Sequence, residues 1–236
     1  MFKILLVAII IFCKFQTVFG SDTLFLKYKR FVANPKTIEN TKTLQLVGVI
    51  VNERNDSLEF VLHRIFPDTL RLQISFEQGY AITVITGNSG WIVDPLQKIF
   101  EPREMHPDEI QRIRSNILNL FAFLDPNLFE PVNSWDFDSG DTNYISFGIS
   151  NSTRDTVNYF FNKFNFSDSY RIIKFYHSPY IFKVVPKNTF AYMGWKVPRQ
   201  IEVFANGVKR TLMYIVNINI NGEIDKDLFK LKKLND

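Results

Sequence analysis

The sequence predicts a mainly β (α+β) fold: one large, curved antiparallel sheet with two helices. Three observations carry that prediction. Apolar and polar residues alternate with a period of two, most cleanly where Leu70, Leu72, Ile74 and Phe76 interleave with Arg71, Gln73 and Ser75. Turn residues punctuate such runs at short intervals, as at Gly87-Asn88-Ser89-Gly90 and Asn206-Gly207, which is how consecutive hairpins read. Two stretches switch to helical spacing instead, and both are amphipathic, as helices that cover a sheet must be.

The chain opens on Met1-Phe2-Lys3, an apolar run from Ile4 to Cys13, and then Val18-Phe19-Gly20 before Ser21. A basic start, a short apolar stretch and tolerated residues before Ser21 read as a secretory signal peptide over 1–20, cleaved after Gly20. The apolar run is about half the roughly 20 residues that a spanning helix needs. A lipid-modified cysteine at Cys13 is disfavoured by the bulky Phe12 before it. The expectation is an exported protein, with residues 21–236 as a single domain.

In that domain Leu24, Phe25, Tyr28, Phe31 and Val32 recur at helical spacing, giving a helix from about Ser21 to Ala33 that Asn34-Pro35 ends. Leu44–Asn52 and Leu58–Phe66 read as strands around an Asn55-Asp56 turn, and Leu70–Phe76 reads as a third with one wet face. Gln78-Gly79 turns into Tyr80–Thr86, and the Gly87–Gly90 turn leads into Trp91–Val93. His106-Pro107-Asp108-Glu109 is a helix start, because proline suits the first turn and acids suit the positive end of the dipole. Ile110, Ile113, Ile117, Leu118, Phe121 and Leu124 follow on one face of that helix, which ends before Asp125-Pro126. Residues 125–140 read as a loop, and strands are expected at 143–149, 156–163, 169–177, 180–186, 199–206 and 210–220.

Composition narrows the function. Cys13 is the single cysteine, so the mature chain has no disulfide, zinc–thiolate site or cysteine nucleophile. The net charge is +4, and losing Lys3 and Lys14 brings it closer to balance; with no basic block, no nucleic-acid partner is expected. Aromatics make up 15% of residues, with 24 Phe, enough to fill a core or to line a ligand cavity.

No catalytic constellation emerges. His63, His106 and His177 lack a second histidine or carboxylate at ligand-like spacing. Asp136, Asp138 and Asp141 around Gly140 lack the glutamate that would close a calcium loop. Asp108 and Glu109 are explained by capping. The expectation is a non-enzyme with no metal and no cofactor.

Three segments carry a resemblance. FVLHRIFPDTLRLQI (60–74) is similar to a strand, proline turn and strand, with Pro67 at the turn. YAITVITGNSGWIVDP (80–95) resembles a hairpin with Gly87, Trp91 and Pro95 at its marked positions. PRQIEVFANGVKRTLMYIVNININGEIDKDLFKL (198–231) resembles a last hairpin and closing phrase, with Gly207, Asn219, Asp225 and Phe229 in place. Together they resemble the LolA/LolB-like periplasmic lipoprotein-carrier family of outer membrane lipoprotein-sorting proteins. The resemblance implies an incomplete antiparallel β-barrel covered by an N-terminal helix and an internal lid helix. It implies a monomeric carrier of lipoprotein acyl chains or lipid, with an inner-membrane exporter and an outer-membrane acceptor as handover partners. The alternative is a regulator or assembly factor of the same fold that binds a protein. Leu70, Leu72, Ile74, Phe76 and Trp91 are the expected ligand-binding residues on the sheet, and Ile110, Ile113, Ile117 and Phe121 those on the lid. One departure stands out. The family's carriers have a basic residue before the turn proline, where this chain has Phe66, with Arg64 two residues back on the same strand face.

Overall fold

The computed structural model describes residues 27–77, 79–114, 134–136, 144–150, 155–162, 164, 169–176 and 178–230. The expected signal peptide, the first turn of the N-terminal helix, the second half of the expected lid helix (115–124, with Ile117 and Phe121), most of the expected loop at 125–140 (with Asp138), Asp141 and His177 lie outside these residues.

The N-terminal helix (α1) is described over 27–32. Asn34 and Pro35 end it, and they also start a second helix the sequence did not suggest, α2 (Pro35–Asn40). The Asn34 side chain accepts from Thr37 N–H at 2.8 Å and Pro35 takes the first turn, the standard N-terminal chemistry. Then come β1 (Thr43–Asn52), β2 (Ser57–Ile65), β3 (Thr69–Phe76), β4 (Gly79–Thr86), β5 (Ser89–Asp94) and β6 (Ile99–Glu104). Helix α3 (Pro107–Arg114) starts where the His106-Pro107 signal places it. The second half holds β7 (Ser134–Asp136), β8 (Tyr144–Ser150), β9 (Thr156–Asn162), β10 (Tyr170–Lys174), β11 (Ile181–Tyr192), β12 (Trp195–Ala205) and β13 (Val208–Ile220). A 3-10 turn at Lys226–Phe229 follows.

All thirteen strands join one sheet in the order β6-β5-β4-β3-β2-β1-β13-β12-β11-β10-β9-β8-β7. Two antiparallel meanders therefore meet where β1 pairs with β13, and β6 and β7 stand at the ends without closing a barrel. The sheet curves: one apolar cluster reaches from Leu70 and Leu72 on β3 through Leu46 and Ile218 to Tyr159 and Phe161 on β9. Paired residues share a face, so the register assigns Leu44, Leu46, Phe60, Leu62, Leu70 and Leu72 to this concave side. Gly48 belongs to it too. A Cβ there would lie 2.5 Å from the Phe60 ring, so the glycine makes room for that ring over the β1–β13 junction.

The structure adds one strand and corrects two expectations. Ile99–Glu104, where the sequence reading placed no element, is a strand despite Pro102, which an end strand tolerates. Ser134–Asp136 is a strand inside the stretch read as loop. The β11–β12 hairpin is much longer than the expected strands 180–186 and 199–206, and it runs through Pro186 and Pro198. They are accommodated because β10 pairs with β11 only as far as Val184 and β13 pairs with β12 only from Gln200. Pro186 and Pro198 thus lie where each strand has one bonded neighbour. Asn206 and Gly207, both at positive φ, form the tight turn their sequence signals.

Candidate functional site

The concave face is roofed from two sides. On the α1 side, Tyr28 packs against Phe161 with ring centroids 4.5 Å apart, and Tyr159 stacks on Phe161 at 6.0 Å. Burial, with the neighbouring Tyr159 adding to it, pushes the Tyr28 hydroxyl up to about 12, so it stays neutral at any physiological pH. Trp195 is buried beneath α2 and donates its indole N–H to Thr41 Oγ1 at 3.1 Å.

Helix α3 roofs the other side. Ile110 is buried against Ile85 and Met105, and Ile113 packs on this cluster and on the main core. Gly90 permits the approach, since a Cβ there would lie 3.3 Å from Met105 Sδ. The polar face of α3 holds on to three parts of the sheet. Toward β6, Glu109 accepts two bonds from Arg103, at 2.7 and 3.0 Å, and one from the His106 backbone N–H at 2.7 Å. This last bond is the reciprocal half of a capping box. The Arg103 guanidinium, with the His106 N–H, holds the Glu109 carboxyl down to about 2. Toward the turns, Arg114 donates to the Gly87 carbonyl between β4 and β5 and to the Asp68 carbonyl between β2 and β3, the latter at 3.5 Å. Toward the far arm, Arg112 Nε lies 3.9 Å from the buried carboxylate of Asp155, beside the start of β9. Asp155 also accepts from the Tyr176 N–H at 2.9 Å. Helix α3 therefore ties both arms of an open sheet.

The structure brings most of the expected sheet and lid residues together. Leu70 pairs with Ile85, Leu72 lies between Leu62 and Thr83, and Ile74 between Phe60 and Ala81, all on the face that α3 covers. Phe76 is on this face at the far end of β3, opposite Gly79, and is half-buried. Trp91 is separated from the others. It pairs with Val84, which pairs with Arg71, so it belongs to the opposite, outer face. Its position after the glycine turn gave no information on which face it takes.

The outer face of β3 is not the wet face its pattern suggests. Arg71 is only 8% exposed, because the Lys226–Phe229 turn folds over that side. His63, its register neighbour on β2, is a packed residue whose Nε2 meets Gln45 Nε2 at 3.2 Å. Burial first, and the Arg71 charge second, pull its pKa below the ordinary value. Arg64 is buried on the concave face, over the Phe66 ring at 4.8 Å, with Nη2 donating to the Pro67 carbonyl at 3.3 Å. The cation that joins lid to sheet at this turn comes from the helix, as Arg114. One arginine among several polar residues on the wet face of an amphipathic run gave no hint of that in the sequence.

No family model matches the sequence, and no curated protein matches it. Solved structures do. A LolA superfamily protein from Nitrosomonas europaea superposes with a TM-score of 0.56 at 10% identity, covering 88% of this chain and 97% of that one. A DUF1329 family protein from Desulfovibrio piger gives 0.57 at 10% identity, with the same coverage. A domain from Vibrio parahaemolyticus assigned to outer membrane lipoprotein sorting gives 0.50 at 9% identity, covering 79% of this chain and 88% of that one. The chain has the LolA-like fold: a curved, incomplete antiparallel barrel.

Proposed function

We propose that this protein is a carrier that holds acyl chains of lipids or lipoproteins against the concave face and moves them between the membranes of a bacterial envelope. The reading rests on one observation: a continuous apolar concave face is roofed by helix α3, whose ties to the sheet include several polar ones. Such ties can be exchanged for water, so the roof can leave without unfolding the sheet. Each acyl CH₂ moved out of water gains about 0.8 kcal/mol, which gives a dry apolar face its affinity without any catalytic group. Leu70, Leu72, Ile74 and Phe76 form the wall and Ile110 and Ile113 the underside of the lid, with Ile117 and Phe121 extending it along the sequence. Trp91, on the outer face, is left out of this site. The fold of the solved neighbours, one assigned to lipoprotein sorting, supports the reading. Among the described residues no helix is long and apolar enough to cross a membrane.

A second reading has its own support. Val216 is 69% exposed at a bulge in β13 and stands beside Tyr214, Val49 and Val51 on the outer face. An exposed apolar patch of this kind suits a regulator or assembly factor that docks a protein.

Native mass spectrometry of the protein purified from a periplasm without detergent, followed by solvent extraction, separates the two. The carrier reading expects co-purifying lipid or acylated peptide, lost in a folded Leu72→Glu or Ile113→Glu variant. A single mass without adduct, and no uptake of added lipid, would refute it and favour the protein-binding module.

A further inference from the structure

We propose that the outer face carries a second, separate binding site: a groove for a single-chain amphipathic carboxylate whose head group meets Arg71. The groove encloses about 610 Å³ and is lined by Arg71, Ile82, Trp91, Val93, Phe100 and Leu228, among others. That volume falls within the roughly 300–1,000 Å³ of single small-molecule sites. Its sheet wall follows from the register. Arg71, Ile82, Trp91 and Val93 share the outer face of β3, β4 and β5, behind Leu70 and Leu72. Its other wall is the 3-10 turn Lys226–Phe229, whose Phe229 carbonyl accepts from the Trp91 indole N–H at 3.4 Å.

The head-group chemistry comes from Arg71. Its Nη2 donates to Gln73 Oε1 at 2.7 Å, while its Nε is buried with no acceptor. Among the described residues no carboxylate pairs with it. Buried charges are almost always paired, because an uncompensated one is expensive, so a buried guanidinium with a free donor at the floor of an apolar groove is suited to an anion. Nε and an Nη together form the side-on fork that grips a carboxylate. Lys230, the other cation lining the groove, is held by Asp227 at 2.7 Å. A single available guanidinium matches a singly charged head group better than a doubly charged phosphate. The walls supply the rest, with Phe100 standing 65% exposed at the mouth, ready to close on an alkyl chain. Burial lowers the Arg71 pKa from its ordinary value.

Decanoate and decanol, titrated into the full protein, test this, with the Trp91 indole N–H followed by ¹H–¹⁵N NMR and affinity by calorimetry. The site expects decanoate to shift the Trp91 resonance and to bind at least tenfold tighter than decanol. Arg71→Gln should remove that preference, and Ile82→Glu, which sets a carboxylate among the walls, should weaken decanoate at least tenfold. Leu72→Glu, on the concave face, should leave the Trp91 shift intact, so failure of the carrier reading leaves this result standing. Equal binding of acid and alcohol at Trp91, or decanoate binding that leaves Trp91 unmoved, would overturn the proposal. So would binding at Trp91 that appears only after residues 231–236 are removed, which would give the groove to the chain's own end. Should Arg71→Gln fail to fold, the acid-over-alcohol preference of the wild type and the Ile82→Glu variant still decide.

Discussion

Replacing Arg114 with methionine should loosen the lid without unfolding the sheet. Arg114 is 1% exposed and donates from α3 to the carbonyls of Gly87 and Asp68, two turns of the sheet. A hydrogen bond from a charged donor contributes about 1.5–3 kcal/mol. The Asp68 contact, at 3.5 Å, is at the limit of bonding geometry and adds little. Methionine keeps much of the packed volume and removes the cost of burying the charge, so the net loss in docking is about 1–2 kcal/mol. At 1.4 kcal/mol per factor of ten, the undocked lid should become about 5–30 times more populated. Hydrogen exchange reads this directly. Amides of 107–114 should lose protection by that factor, while β1 and β2, buried in the main core, should keep theirs. Release of a bound lipid probe should accelerate in parallel if the lid gates the concave face. Protection of 107–114 unchanged within a factor of two, in a folded variant, would refute the latch. Equal loss of protection in β1 and the lid would show Arg114 to be a general stabiliser.

Other perturbations check other links. Gly48→Ala places a methyl 2.5 Å from the Phe60 ring and 2.2 Å from the Tyr214 carbonyl, an overpacking of about 1–3 kcal/mol. Calorimetry should show a lower Tm, by at least about 2 °C for a domain of this size; an unchanged Tm would mean the ring moves aside freely. Glu109 has a carboxyl held below its ordinary 4.5, to about 2, so its contribution is complete above about 4.5 and is lost as pH falls through about 2. The pair is partly exposed and screened, so the effect is under about 1 kcal/mol and local. Exchange at α3 should rise across that window in the wild type and stay flat in Glu109→Gln; identical profiles would reject the assignment. Asp155→Asn should weaken the tie between α3 and the far arm, lowering protection at the start of β9 and in α3 together; an effect confined to one of them would show that Asp155 serves only its own strand.

Legibility in the sequence followed the period of the hydrophobic pattern. Leu70, Leu72 and Ile74 declared both their strand and their shared face, because a strict period of two leaves one assignment. The run Tyr159-Phe160-Phe161 declared a strand but no face: all three side chains are large and aromatic, and the register alone turns Tyr159 and Phe161 inward. Trp91 suffered the same way beside Gly90 and Ile92. The strand at 99–104 and the outer part of the β11–β12 hairpin were not legible, because whether a strand tolerates Pro102, Pro186 or Pro198 depends on which neighbours it lacks, and pairing is a long-range fact. Arg71 looked wet because its alternation was read without the 3-10 turn, more than 150 residues later in the chain, that covers it. The apolar concave face was therefore visible early, and the polar ties of α3 to the sheet were not.

Those polar ties are what separate a lid from a core. If α3 were held by apolar contact alone, lifting it would expose Ile110 and Ile113 to water, and nothing bound beneath would offset the loss until it had already arrived. Here Arg103–Glu109, Arg112–Asp155 and the Arg114 contacts share the work of docking with two isoleucines. Water can replace most of the polar bonds, and an acyl chain can replace the apolar ones. On the proposed reading, opening and loading are then exchanges between comparable contacts, which suits a carrier that must also release its cargo. The outer groove follows a related pattern on the far side of the same strands: a short helical turn lies over apolar residues with a polar tie from Trp91 to Phe229. The argument has a sharp consequence. Ile110→Ala and Arg114→Met should each free the lid, but cargo should restore docking only in Arg114→Met, because there the apolar underside that meets the chain is intact. Lid protection measured with and without bound lipid in the two variants distinguishes them, and equal recovery in both would contradict this division of roles.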